Sequence, residues 1–497
     1  MNNLAAVDLG TNSFRLQVAR AEGDQIYPLD SLREPVRIGA GLLPNKRLDE
    51  PSQQRALECL KRFGERLAGF PKGSVRAVGT NTLRVAKNGP AFMRQAEAAL
   101  GFPIEVIAGR EEARLIYLGV AHTIPPSAQK RLVVDVGGGS TELIIGAHIT
   151  PRRVESLYMG CVSYSLRFLP QGKITKSGMA EAELAARGEL QSIARAFAKN
   201  NWQQAIGASG TARALCDILQ ENGYSDNGIT AHGLAALRAH LIKVGDVSRL
   251  SLPGLRPDRA PVIPGGLAIM SAVFRELGIE QMLTAPGSLR EGMLYDLFGR
   301  SRSRDMREIT VQQFMRRYSV DSAQAKRVEA LALSFFRQLS ENMELDFAAG
   351  VQRLTWAAKL HEIGISIAHN GYHKHGAYIV RNADMLGFSR KDQELLSVLL
   401  LAHRGSLKKM LGLIDSAELM LAAFALRLAA LFCRNRTDAS APPVKLTVTA
   451  KRLRLELDPQ WAAEHPMTQS ALENEVAEWR VLGAELRIVP APARAAA

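Results

Sequence analysis

Near its start the chain places apolar residues as short strands do, at 3–9 (NLAAVDL) and 14–20 (FRLQVAR), with the turn formers Gly10-Thr11-Asn12-Ser13 between them. The pattern returns downstream. RLVVDV at 131–136 runs through Gly137-Gly138-Gly139-Ser140-Thr141 into Glu142-Leu-Ile-Ile-Gly146, and an aspartate, Asp8 or Asp135, sits at the end of the first strand both times. So distant a recurrence predicts two similar lobes rather than a short solenoid repeat. Helical spacing marks 51–70 (Ala56, Leu57, Leu60, Phe63, Leu67) and 89–100, while 74–79 and 103–107 read as short buried strands. Alternating strands and helices predict an α/β lobe. From 181 to 300 helices dominate, interrupted by Gly207-Ala208-Ser209-Gly210-Thr211, which ends a short strand and opens a helix.

After Gly299 the pattern changes. Arg300-Ser-Arg-Ser-Arg304 forms a charged, small-residue joint, and 310–435 is almost wholly helical by period, with apolar runs such as Val328, Leu331, Phe335 and Leu339. Ala439-Ser-Ala-Pro-Pro443 breaks the helices. Residues 445–458 alternate as a hairpin, followed by a helix at 468–481 and a strand at 485–489. The expected division is lobes at 1–125 and 126–303, an all-α domain at 304–438 and a small α+β domain at 439–497, in keeping with 497 residues and roughly 100–200 residues per domain.

Hydrophobic residues make up 46% and charged residues 23%, as in ordinary globular chains. The N-terminus shows no basic region followed by an apolar one, and no run reaches about 18 uninterrupted apolar residues, so a cytoplasmic location is expected. Cys59, Cys161, Cys216 and Cys433 lie far apart with no C-x-x-C pair, which predicts reduced thiols. The net charge of +14 is spread over the chain, +8 on residues 1–300 and +6 beyond. Residues 401–454 are denser, with ten Lys/Arg against Asp415, Glu418 and Asp438. This is either a solvated basic face or a track for a polyanion along Arg404, Lys408, Lys409 and the Lys451–Arg454 cluster.

The turn after Asp8 gathers backbone N–H groups and hydroxyls at one point, a nest suited to phosphate oxygens, and Asp8 at an open strand end is placed to hold Mg²⁺ directly or through water. Three consecutive glycines after Asp135 let the backbone approach a ligand closely, with positive φ expected. Ser209-Gly210-Thr211 at a helix start is a further anion site. No G-x-x-x-x-G-K-[ST] occurs, which disfavours a P-loop nucleotidase.

Two Asp-x-Gly turns facing each other across two lobes resemble the actin, sugar kinase and acetate kinase superfamily. DLGTNSFR (8–15), GTNTLR (79–84), GREEARLIYLGV (109–120), DVGGGSTEL (135–143), GASGTARAL (207–215) and SLREGMLYDL (288–297) together resemble the exopolyphosphatase and guanosine pentaphosphate phosphatase family over effectively the whole chain. The resemblance implies an α/β fold of two actin-like, ribonuclease H-like lobes followed by an all-α HD-like domain and a small α+β C-terminal domain. It makes Glu112 the general base for water, Glu142 a partner positioning water and metal, and Asp8 and Asp135 the Mg²⁺-side carboxylates. Arg84 becomes a phosphate clamp. Thr11, Asn12, Ser13, Arg15, Gly137, Gly138, Gly139, Ser140, Thr141, Ser209, Gly210 and Thr211 become the phosphate cradle. K⁺ activation and a homodimer through the helical domains are further implications. His361-Glu362 resembles the His-Asp pair of HD phosphohydrolases, but Glu replaces Asp and no histidine lies between 241 and 360. The expectation is an HD-like fold without its metal, with His361, His369, His373, His375 and His403 as core or anion-contact residues.

The leading expectation is therefore a Mg²⁺-dependent exopolyphosphatase that releases orthophosphate from the end of linear polyphosphate, with no membrane or sequence-specific nucleic-acid partner. The alternatives are the 5′-phosphohydrolase of guanosine pentaphosphate (pppGpp), an ATP-dependent kinase of the actin-like superfamily and a non-catalytic sensor. Distributed positive charge favours the polymer, because each added Lys/Arg contact to a polyanion releases counterions.

Overall fold

The first hairpin forms as its pattern predicts. β1 (Asn3–Leu9) pairs antiparallel with β2 (Phe14–Glu22), setting Asp8 opposite Arg15 and Leu9 opposite Phe14. In this computed structural model the described residues are 3–300, 305–341, 343, 345–437, 444–449 and 452–491. The expected joint at 301–304, the helix break at 439–443, Lys451 and most of the Ala/Pro-rich tail lie outside them.

Around that hairpin β3 (Gln25–Glu34) adds to β2, while β4 (Val75–Gly79) and β5 (Ile104–Val106) add in parallel beyond β1, giving the order β3-β2-β1-β4-β5. The second sheet repeats the design. β6 (Arg131–Val136), β7 (Thr141–Ala147) and β8 (Thr150–Leu157) form an antiparallel meander, and β9 (Gln204–Gly207) and β11 (Gln281–Thr284) extend it in parallel from β6. A two-residue β10 (Ile229–Thr230) closes the far edge, so the order is β10-β11-β9-β6-β7-β8. The chain thus has a mixed α/β, actin-like architecture of two sheets that repeat one design.

The edge strands β3 and β8 were not foreseen, and the reason is physical. Each contains a proline, Pro28 or Pro151, and a register shift falls beside it, between Val18 and Ala19 on one partner strand and between Ile145 and Gly146 on the other. Proline lacks the N–H a ladder needs and survives at edges and bulges. Neither strand buries a full face, so neither carries strict alternation. The helix Ile263–Leu277 lies in a stretch, Ala260–Leu277, apolar and long enough to cross a membrane, but Leu267, Ile269, Met270 and Val273 are buried in the core of the second sheet's lobe. Cys59, Cys161, Cys216 and Cys433 are free thiols.

Two helices bring the lobes' chemistry together. Gly109–Thr123 and Leu289–Arg300 cross so closely that a Cβ on Gly119 would stand 2.0 Å from the Ser288 carbonyl, and one on Gly292 would stand 1.8 Å from the Leu115 carbonyl. Only glycine permits that approach. At the same crossing lies a buried ion network. Asp296 accepts from Arg76 Nη1 on β4 (2.6 Å), from Arg114 Nη2 and from Arg300 Nε (3.0 Å), while Arg114 Nε donates to Glu111 (2.7 Å). Burial opposes ionisation of Asp296, but Arg114, Arg76 and Arg300 outweigh it and hold the carboxyl below the usual range.

The contacts divide the chain into two compact units, Met1–Asp305 and Met306–Ala497. The second is built from Met306–Arg317, Ser322–Ser340, Phe347–Leu360, Tyr372–Asn382, Arg390–Ala402 and Ala417–Phe432, in agreement with the helical period. A three-stranded sheet follows, β12 (Val444–Thr449), β13 (Arg452–Leu457) and β14 (Glu485–Pro490), with the helix Pro466–Val481. Helices and sheet share one core, in which Phe424 meets Trp479 edge-on at 5.0 Å and Leu446, Leu455 and Leu486 are buried.

Asp296→Asn leaves Arg76 and Arg114 buried without their shared counter-charge, a loss of about 3–5 kcal/mol. Because the Asp296 pKa is depressed in the folded state, its contribution is full above the unfolded value of about 4 and is lost as pH falls through the folded value. The variant is expected to lower the first thermal transition of the full chain at pH 7, with the gap to wild type narrowing below pH 4. Equal Tm values at pH 7 would remove the network from any stabilising role.

Candidate active site

The two glycine turns meet. A Cβ on Gly138 would come within 2.8 Å of Thr11 Cβ, and one on Gly139 within 2.1 Å of Asn81 Nδ2. The glycines are therefore required by the close approach of the two turns. The expected positive φ is corrected here, because Gly137, Gly138 and Gly139 are not among the residues with left-handed backbone. Thr82 Oγ1 donates to Thr11 Oγ1 at 2.9 Å, tying the first turn to the segment that carries Asn81.

A third wall comes from the N-terminus of the helix Gly210–Glu221. Its cap, Ser209, has φ 94° and ψ 164°, a region that normally only glycine occupies, and its Oγ accepts the Ala212 N–H at 3.2 Å. Such a conformation costs roughly 1–3 kcal/mol and persists where the surroundings over-determine it, as at functional sites. The three turns enclose a cleft of about 120 Å³. Asp8, Thr11, Asn12, Ser13, Arg15, Gly137, Gly138, Gly139, Ser140, Ser209, Gly210 and Thr211 all line it, as do Glu112, Asp135 and Glu142.

Glu112 stands in the first turn of the helix Gly109–Thr123 and is 8% exposed. Arg84 Nη1 donates to its Oε2 at 2.7 Å and to the Ile107 carbonyl at 3.1 Å. Arg84 was expected as a phosphate clamp; it does not itself line the cleft, and its Nη1 is committed to the Glu112 carboxylate, which does. Burial works against the Arg84 charge, but Glu112 outweighs it and raises the pKa. Thr141 also departs from expectation. It is fully buried and its Oγ1 donates to the Met159 carbonyl at 2.6 Å, so it anchors β7 below the cradle.

Asp135 is 6% exposed rather than at an open strand end, and it accepts from Ser288 Oγ at 2.7 Å. Burial, with Glu112 adding to it, pushes its carboxyl up to about 6 against the Ser288 bond. Asp8 is pushed up to about 6 by burial, with Glu112 and Asp135 adding and Arg15 and Arg290 opposing. Glu142 accepts from Ser156 Oγ at 2.8 Å and is driven well above the carboxylate range by burial, then by Glu112 and Asp135.

Sequence reasoning missed the cationic side of the cleft. Arg213, Arg259 and Arg290 line it beside Arg15, together with Asn81 and Ser288. Arg290 Nε donates to Gln17 at 3.2 Å and Arg213 Nη1 to the Pro286 carbonyl at 2.9 Å, which fixes both stems. Arg15 is pushed down to about 10 by burial and by Arg290, and burial also lowers Arg259. Arg213 and Arg290 stand inside the motifs 207–215 and 288–297, whereas Arg259 lies in a loop segment with no pattern to mark it.

No three His, Cys, Asp or Glu side chains among the described residues converge as a self-contained metal cage. Mg²⁺ does not need one, since it takes one or two carboxylates and completes its shell with water and substrate phosphate. Asp8, half-buried, and the buried Asp135 and Glu142, all raised by Glu112 in the same cleft, fit that ion. Of the proposed polyanion track, Arg452 and Arg454 already pair with Glu485 (3.4 Å) and Glu456 (3.2 Å), and Lys409 donates to the Arg404 carbonyl at 2.6 Å. Lys408 is exposed within the one-turn 3-10 helix Leu407–Met410, where its backbone N–H donates to Ser406 Oγ at 3.3 Å.

The family profile described as the Ppx/GppA phosphatase family matches residues 17–301, and that of Ppx/GppA phosphatase, domain III, matches 306–476. Among solved structures, an exopolyphosphatase-like protein is 25% identical, with a TM-score of 0.54 over 61% of this chain and 99% of its own. An exopolyphosphatase from Cytophaga hutchinsonii is likewise 25% identical, with a TM-score of 0.54 over 60% of this chain and 98% of its own. The PPX-GPPA enzyme of Aquifex aeolicus is 26% identical over 59% of this chain and 99% of its own, with a TM-score of 0.49. One profile covers more than half of the chain, including the turns at 137–141 and 209–211 but not the first turn at 10–13, and the other spans most of the helical unit, so the chain belongs to the Ppx/GppA phosphatase family.

Proposed function

We propose that the protein is a cytoplasmic exopolyphosphatase that hydrolyses the terminal phosphoanhydride of linear polyphosphate and releases orthophosphate. The observation that carries this reading is Glu112, a buried carboxylate fixed by Arg84 at the wall of a cleft built from three phosphate turns. Glu112 accepts a proton from water as that water attacks the terminal phosphorus, and the bridging oxygen departs with the shortened chain. Glu142 orients the water. Arg15, Arg213, Arg259 and Arg290 face the phosphate oxygens, and the backbone of the glycine turns holds the terminal group in line. Bound Mg²⁺, held by Asp8, Asp135 and Glu142, would neutralise charge on the phosphate oxygens. K⁺ activation and a homodimer through the helical unit belong to the same proposal, as does an HD-like, metal-free character for that unit.

The cleft favours the polymer over pppGpp or ATP. Among the described residues that line it none is aromatic, so it offers no platform on which a purine would stack, while four arginines suit repeated phosphates. Phosphate release from long-chain polyphosphate, pppGpp and ATP, measured side by side, tests this. Polyphosphate is expected to have the highest kcat/KM, and a preference for pppGpp would reverse the assignment.

Glu112→Gln is expected to keep polyphosphate affinity and lower kcat by about 10²-fold or more. Turnover near wild type would discard the base.

Asp8 and Asp135 are also predicted to cost stability in metal-free protein. A carboxyl whose pKa is raised to about 6 on folding stabilises the fold fully only below its unfolded value, and that contribution is gone above 6. Asp8→Asn and Asp135→Asn should therefore raise the metal-free Tm at pH 7.5 by roughly 2–4 °C each, with the gain shrinking as pH is lowered through 6. Both should also blunt the Tm rise that Mg²⁺ gives wild type. A Tm rise on Mg²⁺ addition that is unchanged in both variants removes these residues from the metal site.

A further inference from the structure

The helical unit contains a polar cavity that the proposed phosphatase chemistry does not use. It has a volume of about 160 Å³, and His361, His403, Tyr372, Arg404, Arg434 and Gln324 contribute to its wall. His361 caps the C-terminus of the helix Phe347–Leu360 and His403 that of Arg390–Ala402, so each ring is set by a helix end.

The backbone fixes what each ring offers. Nδ1 of His403 lies 2.7 Å from the Leu400 carbonyl, and Nδ1 of His361 lies 2.7 Å from the Ala358 carbonyl. A carbonyl oxygen only accepts, so each Nδ1 carries the proton and each Nε2 of the neutral ring presents a lone pair. Burial lowers both pKa values, against Glu362 at His361 and reinforced by His361 at His403, which favours the neutral form. His403 is 3% exposed and its Nε2 has no hydrogen-bond partner. A buried acceptor without a donor is costly, by roughly 1–3 kcal/mol, and calls for an explanation.

Around that acceptor stand cations. Arg436 pairs with Glu362 and with Asp321 (3.1 Å), which neutralises the cavity's one carboxylate. Arg404 lies over the Tyr372 ring at 5.1 Å, and Arg434 has no carboxylate partner within salt-bridge distance among the described residues. Burial and then Arg404 lower the Arg434 pKa, as expected for a guanidinium facing another cation.

A ligand matching this wall must present anionic oxygens to Arg404 and Arg434 and donate an O–H to His403 Nε2. A metal cation meets the guanidinium charges, and sulfate at neutral pH has no proton to donate. A phosphate group meets both demands, because its second ionisation lies near pH 6–7 and the monoanion keeps a P–OH. The cavity has room for such a group. We propose that this cavity binds a protonatable phosphate group, either free orthophosphate or the phosphate of a small monoester, at a site separate from the catalytic cleft.

The test uses the full chain labelled with ¹⁵N-histidine at pH 6.5, with the His403 Nε2 resonance identified by its loss in His403→Gln. Adding inorganic phosphate is expected to shift this resonance toward a hydrogen-bonded nitrogen. Sulfate is expected to need on the order of 10-fold higher concentration, since a site built around an acceptor rejects a ligand without the donor. Arg434→Ala, an exposed position that leaves the fold intact, should weaken the phosphate midpoint by about 10-fold. Glycerol 3-phosphate distinguishes the sources. A midpoint at or below that of phosphate assigns a monoester, and no shift assigns free orthophosphate. Three results overturn the proposal: no phosphate-dependent shift, equal midpoints for phosphate and sulfate, or a midpoint unchanged in Arg434→Ala. A His403 shift with Zn²⁺ but none with phosphate would replace it with a metal site.

Discussion

The buried ion network at Asp296 is the constraint on which the candidate site depends. Arg76 belongs to the first sheet, Glu111 and Arg114 to the helix that carries Glu112, and Asp296 to the helix whose N-terminal end supplies Ser288 and Arg290. One aspartate thus couples a sheet and two helices that face the cleft. Hydrophobic packing holds the Gly119–Gly292 crossing close, but packing is non-directional. The charge network supplies the direction: it fixes the rotation of the helix about its axis, and with it the side on which Glu112 emerges. A buried ion pair is weak evidence for net stability and better evidence for specifying one arrangement. Its placement one residue from the proposed base accords with the second role.

Within the cleft the electrostatics are frustrated in two opposite senses. Carboxylates at Asp8, Asp135 and Glu142 are driven up by burial and by Glu112, with Asp135 adding at Asp8 and Glu142, while Arg15 and Arg259 are driven down. A divalent cation would relieve the first group and a chain of phosphates the second, so under the proposed function substrate and metal together would satisfy a site that neither satisfies alone. That is the physical content of a preorganised electrostatic site, whose groups are arranged for charge that arrives with the ligand. The strained backbone at Ser209 belongs to the same economy of fold and function.

The three turns of the cleft were legible in the sequence because glycine, aspartate and small hydroxyl residues are both the turn formers and the groups that line it. Strand, turn and helix around them followed from local pattern, as did the helical character of 310–435 and the final hairpin. The roles of individual residues were less legible. Arg84 reads as a free cation along the chain, yet in space it faces Glu112; Thr141 reads as a cradle hydroxyl, yet it is buried against Met159. Local sequence shows which groups are available, not which neighbour claims them first.

By itself the sequence determined the two-lobed α/β plan, the helical character of the second half and the three turns that line the cleft, because periods of 2 and 3.6 and glycine-rich turns are local properties of the chain. Tertiary structure decided the rest. It set the proline-bearing edge strands β3 and β8, which bury too little to impose alternation. It also brought Arg259 to the cleft, placed Asp296 against Arg76 and Arg114, and left His403 without a donor for Nε2. Each of these depends on pairing between segments far apart in the chain, and the charge or hydrogen-bonding state of a buried group is defined only once those partners are in place.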